Sequence, residues 1–241
     1  MARKSRVQFP GAFYHVTSRG NAQQTIFHSD SDRRAFMGLL EDVIRDFSWK
    51  CHAYVLMGNH YHLLIETPEG NLSYGMKQLN GSYAQGFNAR HNRVGHLTQG
   101  RFFSRLIEDD DYLFTLYLYI HLNPVKEGLV PAPDSWRWSS YRAYAGLVPS
   151  PPFLETGYTF SLFSEDPVRS RKAFVKFIET GLERICSNEI EGILGFYFHD
   201  FADPETRKQV IRKAHLEHNV SAATIAAYLG VNKTTIYRAL E

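Results

Sequence analysis

Cysteine is nearly absent from this sequence. Cys51 and Cys186 are the only two in 241 residues, and they sit far apart. That excludes a disulfide framework and the paired spacings of a zinc finger, and a reducing, cytoplasmic setting is expected. Long apolar runs are missing too. The richest, "YLFTLYLYIHL" from Tyr112 to Leu122, is too short and too interrupted to cross a bilayer, so no membrane role is expected. The basic start "MARKSRVQFPG" is not followed by an apolar stretch, so no leader peptide is expected. Charge of one sign is also lacking: 27 Lys and Arg against 25 Asp and Glu leave a formal net charge of +2. Any nucleic-acid binding must therefore rest on local basic clusters rather than on the field of the whole molecule.

What is present suffices for a packed core, with 44% hydrophobic residues. The length fits one large domain, or one domain with a small second one. "AFYHVTSRG" (Ala12 to Gly20) alternates like a strand. "SDSDRRAFMGLLEDVIRDF" follows with Phe36, Leu39, Leu40, Val43, Ile44 and Phe47 at helical spacing, capped by Asp30 or Ser31. "WKCHAYVLM" and "HYHLLIE" read as two strands of a hairpin around Gly58–Asn59. A second helix runs through "NLSYGMKQLNGSYAQGFNARH", weakened by Gly75, Gly81 and Gly86. A fourth strand covers Gly100 to Glu108, and a third helix, "DDDYLFTLYLYIHL", is expected to stop at Pro124. The order βαββαβ then α predicts an α+β, ferredoxin-like fold: an antiparallel sheet with helices on one face, plus one more helix. The expected organisation is a domain over residues 1–148, a proline-rich linker over 149–165 and a helical C-terminal domain over 166–241.

"GNHYHLLIET" carries the first chemical signal. His60 and His62 are two apart, so on a strand they share a face and form either a bidentate metal site or two incidental polar residues. His52, on the neighbouring strand, reads as structural. On the third helix Tyr119 and Asn123 are four apart and share a face, with Tyr112 two turns earlier. Tyr117 lies about 200° round the axis from Tyr119 and points elsewhere, towards the core. Each tyrosine has the alternative of being a core aromatic. The acids Glu108, Asp109, Asp110 and Asp111 read as a helix N-terminal cluster rather than as ligands. Phe13, Tyr14, Phe102 and Phe103 either fill the core or stack on bases.

Taken in order, "VLMGNHYHLLIE", "GHLTQGRFFSRLIEDDDYL", "YIHLNPVKEGLV" and "WRWSSY" resemble the single-tyrosine HUH transposases, and most of all the REP-associated tyrosine transposase branch, which is similar to transposases of small insertion sequences. The resemblance runs from about Phe9 to Tyr144. It implies a ferredoxin-like sheet, a metal pair at His60 and His62, a third ligand at Asn123, and a nucleophile at Tyr119. It implies Mg²⁺ or Mn²⁺ as cofactor. The implied activity is cleavage and strand transfer on single-stranded DNA with hairpins or palindromic repeats, through a covalent 5′-phosphotyrosine. A monomer is favoured over a homodimer. Where many relatives carry a basic residue after the aromatic of the Gly-Arg-aromatic motif, this chain has Phe103. What activates Tyr119, a metal or a nearby base, is left open by the sequence.

Basic residues that could follow a DNA backbone are Arg3, Lys4, Arg6, Arg19, Arg90, Arg93 and Arg101. A second feature lies at the C-terminus. "SAATIAAYLGVNKTTIYRALE" has Ile225, Leu229, Val231, Ile236 and Ala239 at apolar positions, Ala226 for a close crossing and Gly230 for the turn. It reads as a helix-turn-helix over about 221–241. Lys233, Thr234, Thr235, Tyr237 and Arg238 would meet duplex DNA, or the segment is a helical mini-domain without DNA contact.

Overall fold

The computed structural model describes residues 6–186, then 208, 211, 212, 214–216, 221–228 and 232–240. Two units are distinguished, Met1–Val175 and Lys176–Glu241.

The first unit follows the expected order. It contains β1 (Ala12–Arg19), α1 (Asp30–Asp46), β2 (Lys50–Leu56), β3 (His60–Thr67), α2 (Leu72–Arg90), β4 (Phe103–Leu106) and α3 (Asp110–Lys126). The four strands lie in the order β2-β3-β1-β4, and every neighbouring pair is antiparallel. This is the ferredoxin-like arrangement. β4 is shorter than its sequence suggests: Gly100 takes φ +67° and turns the chain, and the ladder to β1 runs only over Phe103–Leu106.

β3 is buried along most of its length, so both faces of the sheet are covered. Tyr61 faces α1 and α2: its hydroxyl donates to Asn80 Oδ1 at 2.6 Å and its ring lies 4.7 Å from Phe36. By strand alternation His60, His62 and Leu64 point the other way, towards α3. α1 begins one residue earlier than expected. Ser29 caps it, in a box with Asp32. Asp32 is fully buried and also accepts from Arg90 and His91 at the end of α2. Burial alone would push this carboxyl up, but the bonds from His91 and Arg90 outweigh burial and hold it below its ordinary value. Of the glycines in α2, Gly75 has a packing reason: a Cβ there would overlap the Trp49 indole ring, whereas Gly81 faces open space.

α3 is buried almost all round, which is why it lacks a polar stripe. Asp109 caps it by accepting from the Tyr112 amide at 2.7 Å, so the acidic cluster is a helix start as expected. Pro124 does not stop it. The proline lies inside the last turn and the helix continues to Lys126, at the cost of the one ladder bond that an N–H at 124 would have made.

The segment after α3 holds that helix in place. "WRWSSY" runs antiparallel along the outer edge of β2, with Ser139 bridging Val55, the Leu56 amide donating to Trp138 O at 2.8 Å and the Ser140 amide donating to Tyr54 O at 3.0 Å. Then come α4 (Tyr141–Tyr144), α5 (Thr156–Ser161) and α6 (Pro167–Cys186). Part of the segment 149–165, around Leu154, Glu155 and Thr159, packs against the sheet and α3. The Glu155 amide donates to Cys51 O at 2.8 Å, and the hydroxyls of Tyr117 and Tyr144 meet Thr159 Oγ1 at 2.7 and 2.8 Å. Tyr117 is therefore a core residue, as its position on the helix suggested.

In the second unit, α7 (Ala222–Tyr228) and α8 (Lys233–Leu240) pack through Ala222, Ile225, Ala226, Ile236 and Ala239, all buried. Asn232 caps α8 by accepting from the Thr234 amide at 3.0 Å. The turn expected at Leu229, Gly230 and Val231 lies outside the described residues. Among the described residues no helix is long and apolar enough to cross a membrane.

Two predictions follow from this packing. His121 is fully buried: its Nδ1–H donates to Tyr117 O at 2.9 Å and its Nε2 accepts from Ser140 Oγ at 2.8 Å. Burial pushes it down from 6.5 to about 3. An unfolded chain binds this proton near its ordinary value and the folded chain does not. Stability contributed by the neutral ring is thus complete above about pH 6.5 and is lost as pH falls towards about 3. The urea midpoint should drop from about pH 7 to about pH 5, and should drop less in His121→Gln. Separately, Gly81→Ala should stabilise the protein by about 0.5–1 kcal/mol, while Gly75→Ala should lower the melting temperature.

Candidate functional site

The site face of the sheet is read from the register, because directly opposed residues on paired strands point to the same side. Arg19 lies opposite His60, Thr17 opposite His62 and His15 opposite Leu64. On the outer strands Val55 lies opposite His62, Phe103 opposite Thr17 and Arg105 opposite His15. The two central strands thus bring three histidines, one threonine and one arginine to a single face, under α3.

His60 and His62 are adjacent, with ring centroids 4.9 Å apart. Each uses its Nδ1 on a neighbour. His60 Nδ1 meets Asn59 Oδ1 at 2.7 Å, and His62 Nδ1 meets His15 Nε2 at 2.9 Å. A carbonyl oxygen only accepts, so His60 carries its proton on Nδ1 and keeps a lone pair on Nε2. His62 Nε2 faces the hydroxyl of Tyr119 at 3.4 Å, the long end of a hydrogen bond, with the rings nearly perpendicular and 4.9 Å apart. The strand pair and the helix tyrosine therefore meet at one imidazole.

Asn123 lies one turn beyond Tyr119 on α3 and is buried. Among the described residues its Oδ1 has no hydrogen-bond partner. Leaving a buried amide oxygen unsatisfied costs roughly 1–3 kcal/mol, so this oxygen is available to a hydrogen-bond donor or a cation. With the two imidazole nitrogens it would make a neutral donor set for a small divalent cation, leaving positions open. Among the described residues no group of three or more His, Cys, Asp or Glu side chains is placed to hold a metal. His52 belongs elsewhere: its Nε2 meets Glu66 Oε2 at 3.0 Å and its ring stacks on Phe13.

The expected basic residues divide into groups. Arg19 lies on the site face opposite His60. The Arg6 guanidinium lies 3.9 Å over the Phe102 ring and donates to Phe102 O, and Arg101 is exposed. Arg90 is engaged by Asp32, and Arg93 donates to Gln24 Oε1 at 2.7 Å. Arg90 ends α2, which packs on the face opposite α3. Lys233, Thr234, Thr235, Tyr237 and Arg238 are exposed on α8. Arg3 and Lys4 lie outside the described residues.

Three residues of this site escaped the sequence reading. His15 and Arg105 are brought in by strand register. Lys126 follows Tyr119 by two turns of α3, with its Nζ 5.2 Å from the Tyr119 ring centroid. The signal for His15 was available in the alternation of "HVTSR", which puts His15, Thr17 and Arg19 on one face, but the partner strand was not. Tyr112 is stacked under the Arg105 guanidinium at 4.0 Å.

Comparison with known proteins agrees with this architecture. Residues 9–123 match the model of a family described as IS200-like transposases. A Haemophilus influenzae protein named as a REP-associated tyrosine transposase is 28% identical over 117 residues, covering 44% of this chain and 66% of that protein's length. A solved REP-associated tyrosine transposase bound to a REP hairpin superposes with a TM-score of 0.51 at 22% identity, covering 62% of this chain and 89% of its own. At that identity the superposition speaks for the fold. Residues 9–123, just under half of the chain, thus form a domain similar to the IS200-like transposases.

Proposed function

We propose that the first unit is a metal-dependent single-stranded DNA endonuclease and strand transferase, with Tyr119 as nucleophile and His60, His62 and Asn123 as metal ligands. The observation that carries this reading is the Tyr119 hydroxyl at 3.4 Å from His62 Nε2, on a helix turn that ends in the unsatisfied Asn123 oxygen. On this reading the nucleophile and one ligand, His62, face each other before any substrate arrives.

In this reading Tyr119 Oη attacks the phosphorus of a phosphodiester. The P–O3′ bond breaks, a 5′-phosphotyrosine forms, the phenolic proton leaves, and the departing 3′ oxygen takes up a proton. Mg²⁺ or Mn²⁺ held by His60, His62 and Asn123 would polarise the phosphate and offset the developing negative charge. Because all three ligands are neutral, they leave that charge undiminished. Arg19, on the same face opposite His60, would accompany the phosphate backbone. The Lys126 ammonium lies over the Tyr119 ring, 5.2 Å from its centroid, and helps to hold the ring. A 3′-OH attacking the phosphotyrosine reverses the step, so one tyrosine supports both cleavage and joining. The DNA is proposed to be a hairpin or palindromic repeat, in keeping with the hairpin bound by the solved relative. The exposed Lys233, Thr234, Thr235, Tyr237 and Arg238 of α8 are proposed to add contacts to duplex DNA. A cytoplasmic monomer fits this reading.

The test is a denaturing gel of protein mixed with end-labelled single-stranded hairpin DNA and Mn²⁺. Wild-type protein should give cleaved DNA and a protein-linked band, both lost on chelation. Tyr119→Phe should lower both by at least about 10³-fold, whereas Tyr117→Phe should keep the adduct and lose about 1 kcal/mol of stability with its bond to Thr159. Cleavage that survives Tyr119→Phe would point to water as nucleophile and sink the proposal.

A further inference from the structure

We infer that His15 is a positioning residue of this site: it fixes the tautomer and ring orientation of His62, so that His62 Nε2 presents a lone pair under Tyr119. The inference rests on the metal-site reading above and deepens it.

The geometry is specific. His15 comes from β1, the strand beside β3, and is fully buried, as is His62. Its Nε2 lies 2.9 Å from His62 Nδ1, with the two rings inclined by 29°. The same ring stands edge-on to Tyr119, with centroids 5.8 Å apart. His15 therefore touches both the ligand and the proposed nucleophile.

An imidazole has two nitrogens, and the partner of one decides the protonation of the other. On this inference His15 carries its own proton on Nδ1 and accepts at Nε2 from His62 Nδ1–H, which leaves the lone pair of His62 on Nε2. The opposite arrangement would put a proton on Nε2 and abolish its ability to ligate. His60 solves the same problem through Asn59, the residue just before it. His62 has strand neighbours on either side, so its partner comes from the adjacent strand. Thr17 lies directly opposite His62, and the longer side chain two positions away reaches it.

The choice of histidine also has a reason. A carboxylate would orient His62 equally well, but it would bring a negative charge into a buried site and weaken the attraction of the cation for phosphate. A neutral imidazole orients without adding charge. An apolar residue would fill the same space at lower desolvation cost, so packing does not account for a buried histidine here.

The test uses the full-length protein and two variants. His15→Phe keeps the ring volume and removes the bond; His15→Gln places an amide oxygen near the position of Nε2. In metal-free wild-type protein, imidazole ¹⁵N shifts should show His62 protonated on Nδ1, and a proton on Nε2 would overturn the inference without any variant. In His15→Phe, His62 should become a mixture of tautomers and Mn²⁺ affinity, measured by electron paramagnetic resonance, should fall about 10- to 100-fold. His15→Gln should recover most of that loss, which a merely volume-filling role would not predict. If wild-type protein binds Mn²⁺ through His62 and His15→Phe binds it equally well with His62 still Nδ1-protonated, the inference fails and the metal site stands. If wild-type protein binds no Mn²⁺ in a manner sensitive to His62→Ala, the metal-site reading fails and this inference with it.

Discussion

A histidine buried at the centre of a sheet must satisfy two ring nitrogens without water, and His62 does so in two directions. Its Nδ1 is taken by His15 on the adjacent strand and its Nε2 faces Tyr119 on the helix above. Because β3 is paired on both sides, His62 can neither slide nor rotate to the other face without breaking the register of two ladders. Everything placed near it inherits that rigidity. Sites held on paired strands and packed helices keep reacting groups within the small tolerances that phosphoryl chemistry demands.

The helix bearing Tyr119 would be of little use if it could roll. α3 has no polar stripe to orient it, so its rotation is fixed by buried polar groups. His121 and Tyr117 on one side are tied to Ser140 and Thr159, while Tyr119 and Asn123 lie on the site side. Ser140 in turn is held to the β2 edge through the backbone of Tyr54. The segment "WRWSSY" therefore does two jobs. It covers an edge strand that would otherwise invite pairing with another chain, and it locks the angle of the helix. Phe174 of α6 packs on Tyr144 and closes the far side of this cluster.

How much of this was legible in the sequence depended on range. The order of elements, the shared face of His60 and His62, and the separation of Tyr117 from the face of Tyr119 and Asn123 follow from local periodicity, and local periodicity is what a sequence displays; that the Tyr119 face is the one turned to the histidines came from the family resemblance. The cap at Ser29 was missed by one residue because Ser29, Asp30 and Ser31 are all capable caps and only the reciprocal bond with Asp32 decides between them. His15 escaped because its meaning lies in a register between strands about 50 positions apart, and nothing in either strand announces it. Arg90 looked like a phosphate ligand for a similar reason: its partner, the buried Asp32, sits on another helix. Residues 149–165 looked like a linker because proline marks a break in regular structure but says nothing about whether the irregular chain is packed. Pro124 shows the same limit, since the buried packing of α3 carries the helix two residues past it.

The central claim is that Tyr119, and no other group, forms a covalent bond to DNA over this histidine pair. It is tested most directly by trapping the adduct with single-stranded hairpin DNA and Mn²⁺, digesting both components and sequencing the nucleotide-linked peptide by mass spectrometry. The account predicts one modified residue, Tyr119, carrying the 5′ phosphate of the downstream nucleotide. A phosphate on Tyr112 or Tyr117, or cleaved DNA with a free 5′ phosphate and no linked peptide, would contradict it.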